Sequence, residues 1–340
     1  MDQYKPSQVV WEITLKCNLK CLHCGSSAGV KRQKELKTKQ LIKVCRELSE
    51  IGFKGIGLMG GELFLRKDWE IISKEIKDRG MALSTVTNGY FKPDKIIPKL
   101  VKLETDCVTV GFDGTEKIHD HIRGVEGSFK KALDFMRASK KAGLLTNAIT
   151  TVHKMNFNDI KNLPDLILEK EGLDWQIQEA VPIGRFSKKY ILSEEENYSL
   201  AIFIASLQKK YLKDKVIGSH TLGFFSKHIP NLSFYPDWKG CYAGRAVLGI
   251  SSDGAVKGCE ILPDEYIEGF ATKRSIVNIW NDPNSFTYNR YFKKNDLGPL
   301  CIDCKYGAKC MGGCMGRSVA MVGKPHNDPH CLYRTEKNLF

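Results

Sequence analysis

The chain has 340 residues, 42% of them hydrophobic and 27% charged, which is enough to bury one large core of about 200 residues plus a smaller domain. No apolar run is long enough to span a bilayer, and Met1-Asp2-Gln3-Tyr4-Lys5-Pro6 lacks the charged and hydrophobic regions of a signal peptide, so a cytoplasmic protein away from the membrane is expected. The formal charge is +13, but its lysines and arginines are scattered, as in Lys31-Arg32, Lys140-Lys141 and Lys209-Lys210, and read as solvated surface rather than as a nucleic-acid footprint.

Short apolar runs alternate with amphipathic stretches up to about residue 190, the pattern of repeated βα units around a parallel sheet. Strands are expected at 9–15, 55–59, 83–87, 108–112, 144–150 and 175–180. Thr38 is expected to cap a helix whose apolar face is Leu41, Ile42, Cys45, Leu48 and Ile51 and which Gly52 ends. Further helices are expected at 68–77, 93–102, 128–142 and 158–170. Ser193, followed by Glu194, Glu195 and Glu196, opens a long helix in a connecting stretch whose aromatic, proline-containing remainder is an irregular bridge. The expected division is a partial (β/α)6 TIM-like barrel over 1–192, a helical bridge over 193–234, and a small Cys-rich domain over 235–340.

Twelve cysteines in a chain without an export signal argue for metal or cluster ligation over disulfides. Three of them, Cys17, Cys21 and Cys24, stand as C-x3-C-x2-C just after the first strand. A closed structural zinc or cluster site uses four protein ligands, so three thiolates leave one coordination position open. A zinc knuckle borrowing a distant fourth ligand is the alternative. In parallel αβ sheets the reacting groups sit on loops leaving the C-terminal strand ends, and these cysteines occupy the first such loop. Gly60-Gly61-Glu62 follows the second strand, with glycines that allow close backbone approach and a carboxylate suited to an ammonium group. The third strand ends in Thr87-Asn88-Gly89, and the fourth leads into Val110-Gly111-Phe112-Asp113-Gly114 and then His119-Asp120-His121-Ile122-Arg123-Gly124. Pro182-Ile183-Gly184-Arg185 follows the sixth. Cys45 and Cys107 are expected as buried core thiols.

A second group comprises Cys241, Cys259, Cys301, Cys304, Cys310, Cys314 and Cys331, with Gly312-Gly313 before Cys314 and Asp328-Pro329-His330 before Cys331. Zinc would need two sites sharing seven thiols with one place unfilled.

The first cysteine triplet with Gly60-Gly61-Glu62 resembles the signature of the radical S-adenosylmethionine (radical SAM) superfamily, and the second group resembles the SPASM domain found C-terminal to many of its members. The resemblance implies a 4Fe-4S cluster on Cys17, Cys21 and Cys24 whose fourth iron chelates SAM. Gly60, Gly61, Glu62, Thr87, Asn88 and Arg123 are the implied SAM contacts, with His23 packed beside the cluster; Gly111 replaces the usual serine, so one contact is absent. Two auxiliary 4Fe-4S clusters are implied, one on Cys301, Cys304, Cys310 and Cys331, the other on Cys241, Cys259 and Cys314. The fourth ligand of the latter is water, a side chain such as Glu260, or substrate. Glu260 also aligns with a catalytic base in sulfatase-maturing relatives.

What this implies is reductive cleavage of SAM to a 5'-deoxyadenosyl radical that modifies a ribosomally made peptide by cross-link, oxidation or epimerisation. A flavodoxin- or ferredoxin-type donor would supply the electron. The alternatives are a radical enzyme acting on a small molecule such as a haem precursor and, outside catalysis, an iron-sulfur electron carrier or zinc-binding interaction protein. The sixteen residues before Cys17 are too few for a separate leader-recognition domain.

Overall fold

The computed structural model describes residues 4–219, 222–233 and 238–339. Its frame is one ten-stranded sheet in the order β10-β9-β8-β1-β2-β3-β4-β5-β6-β7. The strands are β1 (Gln8–Glu12), β2 (Gly55–Met59), β3 (Ala82–Thr87), β4 (Cys107–Gly111), β5 (Thr146–Val152), β6 (Asp174–Glu179), β7 (Val216–Gly218), β8 (Val247–Ile250), β9 (Ala255–Lys257) and β10 (Gly269–Phe270). From β8 through β1 to β7 every pairing is parallel, and only β9 and β10 run antiparallel.

The six expected strands are all present as β1 to β6. The sheet also gains a parallel strand at each edge, because β7 adds to β6 and β8 adds to β1. The first strand is shorter than expected. After Ile13, which still donates to the Met59 carbonyl, the chain leaves the sheet.

Five helices cross between the barrel strands: α1 (Thr38–Ile51), α2 (Trp69–Asp78), α3 (Pro93–Lys102), α4 (Glu116–Arg123) and α5 (Ser128–Lys141). In α1 the N-cap is Lys37 rather than Thr38; the Thr38 hydroxyl instead donates to Asp68 Oδ2, and Gly52 closes the helix at φ +96°. The helix expected at 158–170 is a 3-10 turn, Ile160–Asn162, and a π-helical turn, Asp165–Lys170. Pro164 lies between them and has no N–H to continue an α-helix. α6 (Glu194–Tyr211) starts as expected: the Ser193 hydroxyl accepts from Glu196 N, and Glu196 accepts from Ser193 N. The cysteine-rich part adds α7 (Ile276–Asn281), α8 (Thr287–Arg290), α9 (Gly307–Cys310), α10 (Met315–Val322) and α11 (Leu332–Leu339).

The expected boundary at 234/235 falls outside the described residues, but the sheet and the core continue past it. One apolar core holds Trp11 of β1 together with Leu248 and Ile250 of β8, Trp280 of α7 and Phe286. Glu12, fully buried at the end of β1, accepts from both the backbone N and the hydroxyl of Ser252. Among the described residues no helix is long and apolar enough to cross a membrane.

Candidate active site

The C-terminal ends of β1 to β6 surround a cavity of about 750 Å³, its mouth included, walled by Cys17, Cys21 and Cys24 together with His23, Gly60 and Gly61. Thr87, Asn88, Asp113, Arg123, Thr151, Gln178 and Arg185 complete its polar lining. The three thiols lie close enough to act on one another electrostatically. Burial pushes Cys17 up to about 11 and also raises Cys21, so loading a metal must displace protons.

The two glycines serve a purpose the sequence left open. A Cβ on Gly60 would lie 2.2 Å from the Thr14 carbonyl oxygen, and one on Gly61 2.4 Å from that of Lys16. The backbone of the β2 loop is thus pressed against the backbone entering the cysteine loop. Gly61 N and Glu62 N donate to the Thr14 and Lys16 carbonyls at 2.8 Å each. The glycines therefore fix the cysteine loop as well as line the cavity.

Glu62 is 1% exposed and sits behind the cavity wall. Its carboxylate accepts from the Thr87 hydroxyl and from Asn88 N at 2.8 Å, while burial pushes it up to about 7. Thr87 and Asn88 are the groups it presents to the cavity. The Asn88 side chain donates to Asn18 Oδ1 at 2.8 Å and lies 3.8 Å from Cys17 Sγ.

Arg123 is buried and pairs with Asp113 Oδ2 at 2.7 Å, with its Nη1 4.0 Å from Cys21 Sγ. The reason for glycine at 111 is steric: a Cβ there would stand 2.2 Å from Arg123 Nη2. Asp113, held well below the usual carboxylate range by Arg123 and the neighbouring histidines, also lies 3.4 Å from His23 Nε2. Sequence reasoning passed over Asp113, although it is the acidic residue of the segment quoted around Gly111. The segment ending in Arg185 has, from the sequence, no role beyond closing the SAM site. Arg185 N donates to the Cys24 carbonyl at 3.0 Å, and its Nη1 donates to that of Ala28 at 2.7 Å. Gly184, at φ +59°, lets this segment ride over Gly25, whose oxygen a Cβ would meet at 2.1 Å. The segment is a clamp on the cysteine loop.

The other seven thiols fall into two groups. Cys301 acts electrostatically on Cys310, Cys331 on Cys301 and Cys310, and Cys304 on Cys301 and Cys331; the four share the wall of a second cavity of about 820 Å³, its opening included. Cys241, Cys259 and Cys314 form the other mutually coupled set. Burial pushes Cys259, Cys301 and Cys314 up to about 12 and Cys241 up to about 11. The first triplet and the four-thiol set each line one cavity, while Cys241, Cys259 and Cys314 lie close enough to act on one another electrostatically; sets of three and four thiols suit iron-sulfur clusters.

Glu260 walls neither cavity. One oxygen accepts from the Ser251 hydroxyl at 3.0 Å, the other is buried without a hydrogen-bond partner, and burial pushes the group up to about 7. Cys45 is a core thiol on α1, as expected. Cys107, at the start of β4, is only partly buried and accepts from the Asn147 side chain at 3.3 Å.

Two family models match the chain. The Radical SAM superfamily matches residues 11–167, and the SPASM iron-sulfur cluster-binding domain matches residues 241–305. The chain is 27% identical to an AdoMet-dependent heme synthase of Methanosarcina barkeri, covering 98% of each chain. It is 26% identical to a PqqA peptide cyclase of Bradyrhizobium diazoefficiens, covering 96% of this chain and 86% of that one. Its fold is similar to that of Streptococcus suis SuiB bound to precursor peptide SuiA, with a TM-score of 0.77 at 16% identity over 96% of this chain and 76% of SuiB.

Proposed function

The chain belongs to the radical SAM superfamily and carries a C-terminal SPASM domain, and from that premise we propose that it modifies a ribosomally made peptide by radical chemistry, aided by two auxiliary clusters. The observation that carries the reading is the union, in one chain, of a three-thiol cavity at the C-terminal strand ends with two further thiol sets, one of which lines a second cavity. When bound, the first cluster and SAM supply a 5'-deoxyadenosyl radical that takes hydrogen from the substrate.

The chain's own part is to hold and orient. Cys17, Cys21 and Cys24 would ligate the first cluster. Gly60 and Gly61 present backbone at the cavity floor, and Glu62 keeps Thr87 and Asn88 in place. Arg123, fixed by Asp113, offers a buried cation suited to the SAM carboxylate. Cys301, Cys304, Cys310 and Cys331 would hold one auxiliary cluster and Cys241, Cys259 and Cys314 the other. Glu260, with its unpaired oxygen, is the group we assign to take up a proton beside that second cluster. A flavodoxin- or ferredoxin-type donor and a cytoplasmic setting belong to the same proposal.

A peptide substrate is supported by the likeness to a peptide cyclase. The second reading, a haem precursor as substrate, is favoured by one observation: the heme synthase relative matches end to end. The deciding experiment uses the anaerobically reconstituted full chain with SAM and dithionite, offering in parallel a propionate-bearing iron porphyrin and any short peptides that the neighbouring reading frames prove to encode. A mass change in the peptide supports the first reading, and turnover of the porphyrin alone overturns it. Cys17→Ala should abolish 5'-deoxyadenosine formation with either.

A further inference from the structure

Asp328 stands where the two auxiliary thiol sets meet. Its Oδ2 accepts from the backbone N–H of Cys314, a member of the three-thiol set, at 2.9 Å. The same side chain walls the cavity ringed by Cys301, Cys304, Cys310 and Cys331. It is 3% exposed, so its charge is poorly screened by water.

Three features hold it there. Arg317, fully buried, donates Nε to Asp328 Oδ1 and Nη2 to Oδ2, both at 2.8 Å. Arg317 is anchored in turn to Glu179 at the end of β6 and to the His330 carbonyl. Gly313, at φ +84°, leaves the room the carboxylate needs, since a Cβ there would lie 2.5 Å from Asp328 Cβ.

We propose that Asp328 is a positioning residue shared by both auxiliary sites, a fixed anion that lowers the reduction potential of the two auxiliary clusters together. The inference rests on the auxiliary-cluster reading given above. Adding an electron to a cluster beside a fixed negative charge is disfavoured, and net charge and hydrogen bonding near the sulfurs are among the terms that set such potentials. Asp328 is in contact with both sets, through its hydrogen bond to Cys314 N and through its place in the wall of the cavity lined by Cys301, Cys304, Cys310 and Cys331. Arg317 holds the carboxylate in place through two hydrogen bonds of 2.8 Å.

The test is a redox titration of the reconstituted full chain followed by electron paramagnetic resonance, comparing wild type with Asp328→Asn. Both auxiliary potentials should move to more positive values, while the potential of the cluster on Cys17, Cys21 and Cys24 stays in place as an internal reference. Glu179→Gln removes a carboxylate from the same ion group without lying against either thiol set, and should shift the auxiliary potentials less. Asp328→Ser, smaller and also uncharged, is the second variant should the first yield too little folded protein.

Unchanged potentials, an equal shift of all three clusters, or an equal effect of Glu179→Gln would each overturn the inference. So would loss of the auxiliary clusters in both Asp328 variants with the first cluster retained, since Asp328 would then be scaffold only. Failure of the underlying reading is distinguishable: wild type itself would then carry no iron beyond the first cluster.

Discussion

Gly111 shows how a departure from a family pattern is explained one residue deeper. The sequence reads it as a lost contact, whereas the structure shows that the absent side chain leaves the space in which the Arg123 guanidinium sits against Asp113. Glu62 carries a pH prediction at the same scale. Burial raises it from 4.5 to about 7, so between those values the folded chain binds more protons than the unfolded one. Stability from this group is then fully present below 4.5 and is lost as pH rises through 7, on the order of 3 kcal/mol. In the cofactor-free protein, Glu62→Gln, which keeps an acceptor for Asn88 N and the Thr87 hydroxyl, should flatten the difference in Tm between pH 5 and pH 8. An undiminished difference would place the titration elsewhere.

The element that matters most is the cysteine loop, which is irregular and therefore has to be held from outside. It is gripped from below by the β2 loop through Gly60 and Gly61, and from above by Gly184 and Arg185. Glu35 adds a third hold by accepting from the Thr14 hydroxyl and Leu15 N. Gly60→Ala would drive a methyl into the Thr14 carbonyl at 2.2 Å, with no flexible side chain available to give way. Iron analysis of that variant should find about four irons missing of about twelve, the content of one cluster, with both auxiliary signals intact. Loss of all three signals would mean that the glycine is needed for folding as a whole.

The elements themselves were legible in the sequence to different depths. The strands β2 to β6 announce themselves as apolar runs between turn signals, and α6 announces its own start through Ser193 and Glu196. β7 and β8, at three and four residues, are too short to carry a period. The stretch at 158–170 has helical spacing, but Pro164 withholds the N–H that spacing alone does not count.

At the scale of the whole molecule, barrel and cysteine-rich region share one sheet and one core. β8 pairs with β1, and Glu12 accepts from Ser252 across that seam. Arg317 ties Glu179 at the end of β6 to Asp328 and His330, making a buried ionic join between the two regions. Breaking such a buried pair by removing one partner costs about 3–5 kcal/mol, so the auxiliary region is expected to unfold together with the barrel. The thiol sets nevertheless divide the labour. Cys301→Ala should spare most SAM cleavage, read as 5'-deoxyadenosine, yet stop product formation. Equal loss of both would count against separate roles.

The sequence by itself pointed to the candidate ligand thiols, their grouping into three sets, the parallel sheet and the likeness to the radical SAM superfamily, because cysteine spacing and hydrophobic period are local quantities written along the chain. Only the tertiary structure decided that Asp113 fixes Arg123, that Gly111 is a clearance, that Arg185 clamps the cysteine loop, and that Asp328 touches both auxiliary sites. Each of these rests on one contact between residues ten or more positions apart, outside the repeat of a helix or a strand, and such a contact leaves no periodic trace in a sequence.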